Sequence, residues 1–275
     1  MSVRVFILSN DDLTSNVIFA PLFESTEIEV VGLAFTATIL GRRGSAATHA
    51  LQLLTRTDTR FWIFQVFVNA MYKLRQTRGR SAGGFPSLRK LSAERGIPVA
   101  RTANFSSPEF VRTLHEARPD LIVIRMNQLL APEVLDIATH GVWCAHSSIL
   151  PAYGGIAAEL QGLANGDTSV GTTIFRVTPE LDAGPPLAQR VVPIAPRTSL
   201  FAAILANNRA AAALLRGMTE TLSRAGQVEP ELIVPLPEPS YYSWPTRDDV
   251  RRFRARGNRL MRLGEAGRYL RSLFT

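Results

Sequence analysis

A chain of 275 residues with 46% apolar side chains is long enough to bury a full core, as one domain plus an appendage. Its single cysteine excludes an internal disulfide framework and fits a reducing compartment, and no apolar run approaches the ~18 residues that would cross a bilayer. The formal charge of +8 is carried almost wholly by arginine, with Lys only at 73 and 90, and no aromatic–basic recognition motif accompanies it, so nucleic acid is not the expected partner.

The first residues lack the basic flank and long apolar stretch of a secretory signal, so a cytoplasmic protein is expected. Residues 3–8 predict a buried strand closed by the polar Ser9-Asn10-Asp11-Asp12. A helix over 13–24 and a strand over 29–35 follow, which is the opening of a parallel α/β sheet. The first turn holds no Gly-x-Gly-x-x-Gly, so the backbone cradle of a dinucleotide site is not expected.

Residues 41–85 are the least familiar part of the chain. The segment 60–75 is apolar on much of its circumference and predicts a packing helix. A pocket wall, a homodimer face or a membrane contact are its alternatives. Residues 78–84 are glycine-rich and predict a flexible loop, with a lid around 76–85.

Beyond them the pattern gives a helix over 85–95, the segment 97–100, a helix over 108–117 and an apolar strand over 121–124. A helix over 133–138, a strand over 142–146 and a helix over 157–165 come next. Strands at 172–177 and 187–192 precede a long alanine-rich helix over 200–224. Five prolines between 230 and 245 predict an extended wrap, packed back by Tyr241, Tyr242 and Trp244, and an arginine-rich helical tail fills 246–272. No internal repeat is present. The expected fold is α/β: a Rossmann-like, open, mostly parallel sheet with helices on both faces. Residues 1–226 would form that unit and 227–275 a wrap and helical extension, with the site at the carboxyl ends of the strands.

The candidate chemistry lies in Cys144-Ala145-His146-Ser147-Ser148 and in Leu181-Asp182-Ala183-Gly184. A histidine at the end of an apolar strand, with an acid returned by a later loop, supplies a proton shuttle and its orienting carboxylate. Strand alternation puts Cys144 and His146 on one face, so a Cys-His-Asp nucleophile is an alternative for the same residues. His49, His115 and His140 are expected to be surface or packing residues. No His, Cys and carboxylate set has the spacing of a zinc site, so no metal is expected.

This stretch resembles the folate-dependent formyltransferase family, whose members include glycinamide ribonucleotide and methionyl-tRNA formyltransferases. The residues that carry the resemblance are His146, Ser148-Ile149-Leu150-Pro151, Tyr153 and Gly155, then Gly166-Asp167, Gly171-Thr172-Thr173 and Leu181-Asp182-Ala183-Gly184. Upstream, Pro119-Asp120-Leu121-Ile122-Val123-Ile124 and Leu129-Leu130-Ala131-Pro132-Glu133 look like the family's preceding strand and helix, so that the match covers roughly residues 90–195. One position departs: the family's asparagine, which holds the formyl oxygen, falls on Cys144.

The resemblance implies transfer of a formyl group from 10-formyltetrahydrofolate, as co-substrate, to a small-molecule amine such as an amino sugar nucleotide or a biosynthetic amine. It implies His146, Asp182 and Cys144 as the catalytic set. The folate would lie against Gln128, Leu129 and Leu130 on one side and Thr178, Glu180 and Leu181 on the other, and Ser148 and Tyr153 would touch the acceptor. The basic tail is far shorter than the C-terminal domain of the methionyl-tRNA members. The rivals are a non-catalytic binding protein on the same fold and an acyl transferase or hydrolase that uses another donor.

Overall fold

Alternate residues of the first strand, β1 (Val3–Ser9), enter different apolar clusters. Val3, Val5 and Ile7 pack on one face of the sheet and Phe6 and Leu8 on the other. A strand buried on both faces reads as an unbroken apolar run, and such strands sit centrally in parallel sheets. The structure, a computed structural model, describes residues 2–36, 57–77, 86–126 and 128–271. The loop expected at 78–84, and with it the expected lid, lies outside the described residues, as does His49.

Parallel strands surround β1. Strand β2 (Ile28–Thr36) lies on one side with β3 (Val99–Thr102) beyond it, and β4 (Leu121–Arg125) lies on the other, followed by β5 (Val142–His146). Two antiparallel strands, β7 (Ser169–Arg176) and β8 (Pro186–Pro193), complete the order β3-β2-β1-β4-β5-β7-β8. The sheet is thus open and mostly parallel, as expected. A two-residue strand, β6 (Gly154–Gly155), lies outside it.

Helices cover both faces. On the first face, α1 (Leu13–Phe19), a 3-10 turn (Ala20–Glu24) and the long α7 (Leu200–Ala225) supply Ile18, Phe19, Leu22, Ala211, Leu214 and Leu215. On the second, α4 (Pro108–Ala117) and α5 (Pro132–Leu135) bring Phe110, Leu114 and Val134 against Phe6, Leu8 and Ile122. Each Val, Leu, Ile or Phe among these taken fully out of water contributes about 1.5–3 kcal/mol.

A third cluster joins α1, α2 (Thr59–Thr77), α6 (Ala158–Asn165) and the C-terminal helices α8 (Arg247–Ala255) and α9 (Leu263–Arg271). Phe61, Phe64, Val68 and Tyr72 recur at helical spacing and are buried there, so α2 packs as predicted, while Ile63 and Val66 on its other side are exposed. Helix α3 (Leu88–Glu94) connects α2 to β3 and is capped by Ser87.

Several expected boundaries move. The helix expected over 13–24 is α-helical only to Phe19 and tightens into the 3-10 turn, where Pro21 has no N–H to continue the ladder. The helix over 133–138 is a single turn. The tail is two helices, because Gly257 turns the chain at a φ of 80° after α8. In the extension, β9 (Tyr241–Tyr242) pairs in parallel with β6. Tyr242 stacks on Tyr153 at 5.5 Å and Trp244 packs on the third cluster, but Tyr241 holds by its backbone and leaves 63% of its surface exposed. Among the described residues, no helix is long and apolar enough to cross a membrane.

Candidate active site

Strand β5 delivers Cys144 and His146 to the carboxyl edge of the sheet, between the loop after β4 and the loop after β7. The turn that follows it is densely hydrogen-bonded. Thr172 Oγ1 donates to the His146 carbonyl at 2.9 Å, and Thr173 Oγ1 donates to the Ser148 carbonyl at 2.7 Å while accepting from Leu150 N–H at 3.0 Å. Gln189 Nε2 donates to the Leu150 carbonyl at 2.7 Å, and its Oε1 accepts from Ile233 N–H at 3.1 Å. Buried Thr and Gln side chains thus fix this turn and tie it to the extension.

His146 Nδ1 faces Asp182 Oδ1 at 3.8 Å, and Nε2 faces the Tyr153 carbonyl at 3.4 Å. Asp182 is held in turn: its Oδ2 accepts from Gly155 N–H at 2.9 Å, and its backbone sits at a φ of 50°, a region that Asp tolerates better than most residues. The two side chains are 12% and 20% exposed. Gly184 lets this loop close. A Cβ there would fall 1.7 Å from the Arg176 carbonyl oxygen, so close approach rather than a positive φ demands glycine.

Electrostatics separates the two groups on β5. Burial lowers the His146 pKa, and the Asp182 carboxylate opposes that shift. The imidazole is therefore neutral at pH 7, and a neutral ring that donates through Nε2 to Tyr153 leaves its Nδ1 lone pair towards Asp182. Burial and the Asp182 charge push the Cys144 thiol up to about 12, against the opposing pull of Arg125. Such a thiol is protonated at neutral pH and lacks the thiolate character of a nucleophile.

The segments expected to hold the folate border one apolar cluster that includes Cys144. Leu130, Met126, Val177 and Cys144 join one apolar cluster, with Leu130 buried beneath the surface rather than lining it. Leu129 and Leu181 are 56% and 59% exposed on the two loops. Gln128 is a brace: its Nε2 donates to the Ala103 carbonyl at 3.2 Å and its Oε1 accepts from Phe105 N–H at 3.1 Å. Thr178 Oγ1 donates to the Glu180 carbonyl at 3.5 Å, and the Glu180 side chain is exposed.

The two residues expected at the acceptor lie in the turn after β5. Ser148 is buried, and its hydroxyl has no hydrogen-bond partner among the described residues. With Tyr153, Glu159 and Asp167 it lines a cavity of about 240 Å³. Tyr153 is also a bracket for the extension: its N–H donates to Ser240 Oγ at 2.9 Å, and its ring stacks on Tyr242. A larger groove of about 480 Å³ around Arg4, Glu29 and Arg95 opens at the amino ends of the strands, away from His146. Among the described residues, no group of His, Cys, Asp and Glu could hold a metal ion.

Sequence reasoning missed Arg125. It ends β4, its Nη1 donates to the Ala145 carbonyl at 3.2 Å and its Nε to Thr14 Oγ1 at 3.4 Å. The available signal was a lone charge closing an apolar strand at the edge where open α/β sheets place their sites.

Comparison with known proteins bears on the family and the fold. Residues 55–212 match the family described as Formyl transferase. The methionyl-tRNA formyltransferase of Rhodopirellula baltica is 37% identical over 118 residues, which are 42% of this chain and 35% of that protein, so the match spans about a third of that relative. Among solved structures, phosphoribosylglycinamide formyltransferase from Bacillus halodurans superposes with a TM-score of 0.54 at 19% identity, covering 82% of this chain and 97% of that one. A sugar N-formyltransferase from Shewanella sp. gives 0.52 at 15% identity, covering 91% and 86%. At such identities, these two show the fold.

Proposed function

The chain belongs to the formyl transferase family, and on that premise we propose that it moves a formyl group from 10-formyltetrahydrofolate to a small-molecule amine, an amino sugar nucleotide or a biosynthetic amine. The observation that carries this reading is the facing pair of His146 and Asp182 at the carboxyl edge of the sheet. Attack of an amine on a formyl carbon releases a proton, and the neutral His146 is a base placed to take it. Asp182 favours the imidazolium that results. The proton then passes to the folate nitrogen as the carbon–nitrogen bond breaks.

The donor suits the loops. An apolar ring slotted between exposed Leu129 and Leu181 would cover both side chains, and the backbone of 177–182 offers the amide edges that a pterin needs. Residues 1–226 would carry the reaction, with 227–275 as a structural extension. The Cys-His-Asp alternative loses ground to the raised thiol pKa.

Calorimetry with 5-formyltetrahydrofolate, followed by mass detection of formylated products from a panel of amines and amino sugar nucleotides, tests the proposal. Saturable binding is expected, with a product about 28 Da heavier than the amine, the net replacement of H by CHO. A flat response to reduced folates at millimolar concentration would overturn it, and folate binding without any formylated product would favour a non-catalytic member.

A further inference from the structure

Formation of a tetrahedral centre from a formyl group puts a full negative charge on the carbonyl oxygen, and something must receive it. The neutral groups at this site are poor candidates. A thiol is a weak donor, and the N–H of a neutral His146 is already directed at the Tyr153 carbonyl. One fixed cation stands beside them.

The ladder between β4 and β5 ends at Ile124 and Cys144. The next β5 carbonyl that faces β4 belongs to Ala145, the residue between Cys144 and His146, and Arg125 Nη1 takes it. The guanidinium therefore fills the crevice where the two strands part. Nε is directed at Thr14, whose hydroxyl donates to Asp12, so the head group is anchored at two of its three nitrogens. Among the described residues, Arg125 forms no ion pair, whereas Arg89 is committed to Asp11. The charge of Arg125 reaches both the Cys144 thiol and the His146 ring.

We propose that Arg125 is a catalytic residue whose Nη2 edge, without a partner among the described residues, holds the oxyanion during formyl transfer, the task that Cys144 cannot perform. The proposal rests on the formyl-transfer reading above and adds a residue to it. In the step, the amine nitrogen bonds to the formyl carbon and the C=O π pair moves to oxygen, where the Arg125 N–H groups meet it. Collapse re-forms the carbonyl and breaks the bond to the folate nitrogen, which receives the proton shed by the amine.

Hydroxylamine is the probe acceptor, because it has no anionic group or side chain to be recognised. Its formohydroxamate product is read by the ferric colour after subtraction of the enzyme-free rate. With the full chain and 10-formyltetrahydrofolate, Arg125→Met should lower kcat roughly 100-fold with both KM values little changed. Arg125→Lys, which keeps the charge but not the fork, should lose at least about tenfold. Cys144→Asn in the Arg125→Met background should restore much of the loss, since a carboxamide donor re-enters at the carboxyl end of β5, from the sheet face opposite the one on which Arg125 meets Thr14; a purely structural arginine would gain nothing from it.

A folded Arg125→Met with kcat within about threefold of wild type overturns the proposal. Should that variant fail to fold, a wild-type kcat in Arg125→Lys overturns it instead. A raised hydroxylamine KM at constant kcat would likewise overturn it, in favour of acceptor binding. Wild-type protein that binds folate yet makes no formohydroxamate overturns the formyl-transfer reading and this one with it. With an active wild type, the variants bear on Arg125 alone.

Discussion

His146 Nδ1 and Asp182 Oδ1 stand 3.8 Å apart, too far for a hydrogen bond and near enough for the carboxylate to act on the ring's charge. The gap is maintained from both ends. Gly155 N–H restrains the carboxylate through its other oxygen, and the Tyr153 carbonyl restrains the ring through its other nitrogen. Both restraints come from the same turn, so one short segment sets the spacing of the proposed shuttle.

His146→Ala and Asp182→Ala should each lower formyl transfer at least ~100-fold, the scale of a lost proton-transfer group. Circular dichroism should show both folded, since the two side chains stand at the edge of the sheet and keep 12% and 20% of their surface exposed. Near-wild-type turnover in both would place the chemistry elsewhere.

Burial depresses the His146 pKa below its ordinary 6.5, so the unfolded chain binds that proton more readily than the folded one. The stability this residue allows is complete above about pH 6.5 and falls as the pH drops below it towards the lower folded value. Asp182→Asn removes the carboxylate that supports the imidazolium and should lower the ring's pKa further. Thermal melts between about pH 5 and 8 should show a steeper acid loss in wild type than in His146→Ala. A ring titrating by NMR at or above 6.5 would contradict the sign.

The parts of the fold and site that were legible in the sequence are those whose residue types announce their surroundings. Strands β1, β4 and β5 were readable because both their faces are buried and the runs are unbroken, and His146 and Asp182 because each sits in a polar motif at a strand or loop end. Pro21 hid the end of α1, since proline also suits a first helical turn. Nothing in the residue types of Gln189 and Thr173 marks them as buried, and only their partners, Leu150 and Ile233, reveal them as braces. Arg125 carried a signal, a lone charge closing an apolar strand, but a weak one, because an arginine at a strand end is ordinarily a solvated one.

A thiol pushed up to about 12 is almost wholly protonated near neutral pH. Iodoacetamide should therefore label Cys144 slowly in the folded protein, far below the rate of a free cysteine, and Cys144→Ser should keep turnover within about tenfold. Cys144→Asn should preserve folding and hold or raise formyl transfer, because a stronger donor enters the oxyanion side. Rapid alkylation at neutral pH, or an acyl mass that persists on Cys144 during turnover, would restore the nucleophile alternative.

Gly184→Ala should be disabling despite its single methyl group. The added Cβ would meet the Arg176 carbonyl oxygen at 1.7 Å, and neither backbone can yield without moving the Asp182 loop or the β7 edge. A stability loss of about 2–4 kcal/mol, in the range of clashes and strain at special backbone positions, should accompany a fall in turnover. A crystal structure of the variant with Asp182 Oδ2 still on Gly155 N–H, together with unchanged melting, would refute this role for the glycine.

The extension should prove inseparable from the body even though the reaction is assigned to residues 1–226. Val250, Phe253 and Tyr269 are buried against Leu160, Leu163 and Phe201 in one cluster, and Tyr269 Oη donates to the Val68 carbonyl of α2 at 3.1 Å. Removing residues 227–275 would uncover those partners and also delete Ile233 from Gln189 and Tyr242 from Tyr153. Two buried aromatics alone represent several kcal/mol, a large part of the ~5–15 kcal/mol that holds a domain folded. The truncated chain should therefore be insoluble or melt far below the full one. The milder single changes Phe253→Ala and Tyr242→Ala separate the two contributions: the first should lower Tm, and the second should lower turnover by loosening the Tyr153 turn that positions His146. A truncated chain that melts cooperatively near the full-length Tm would show that residues 1–226 stand alone.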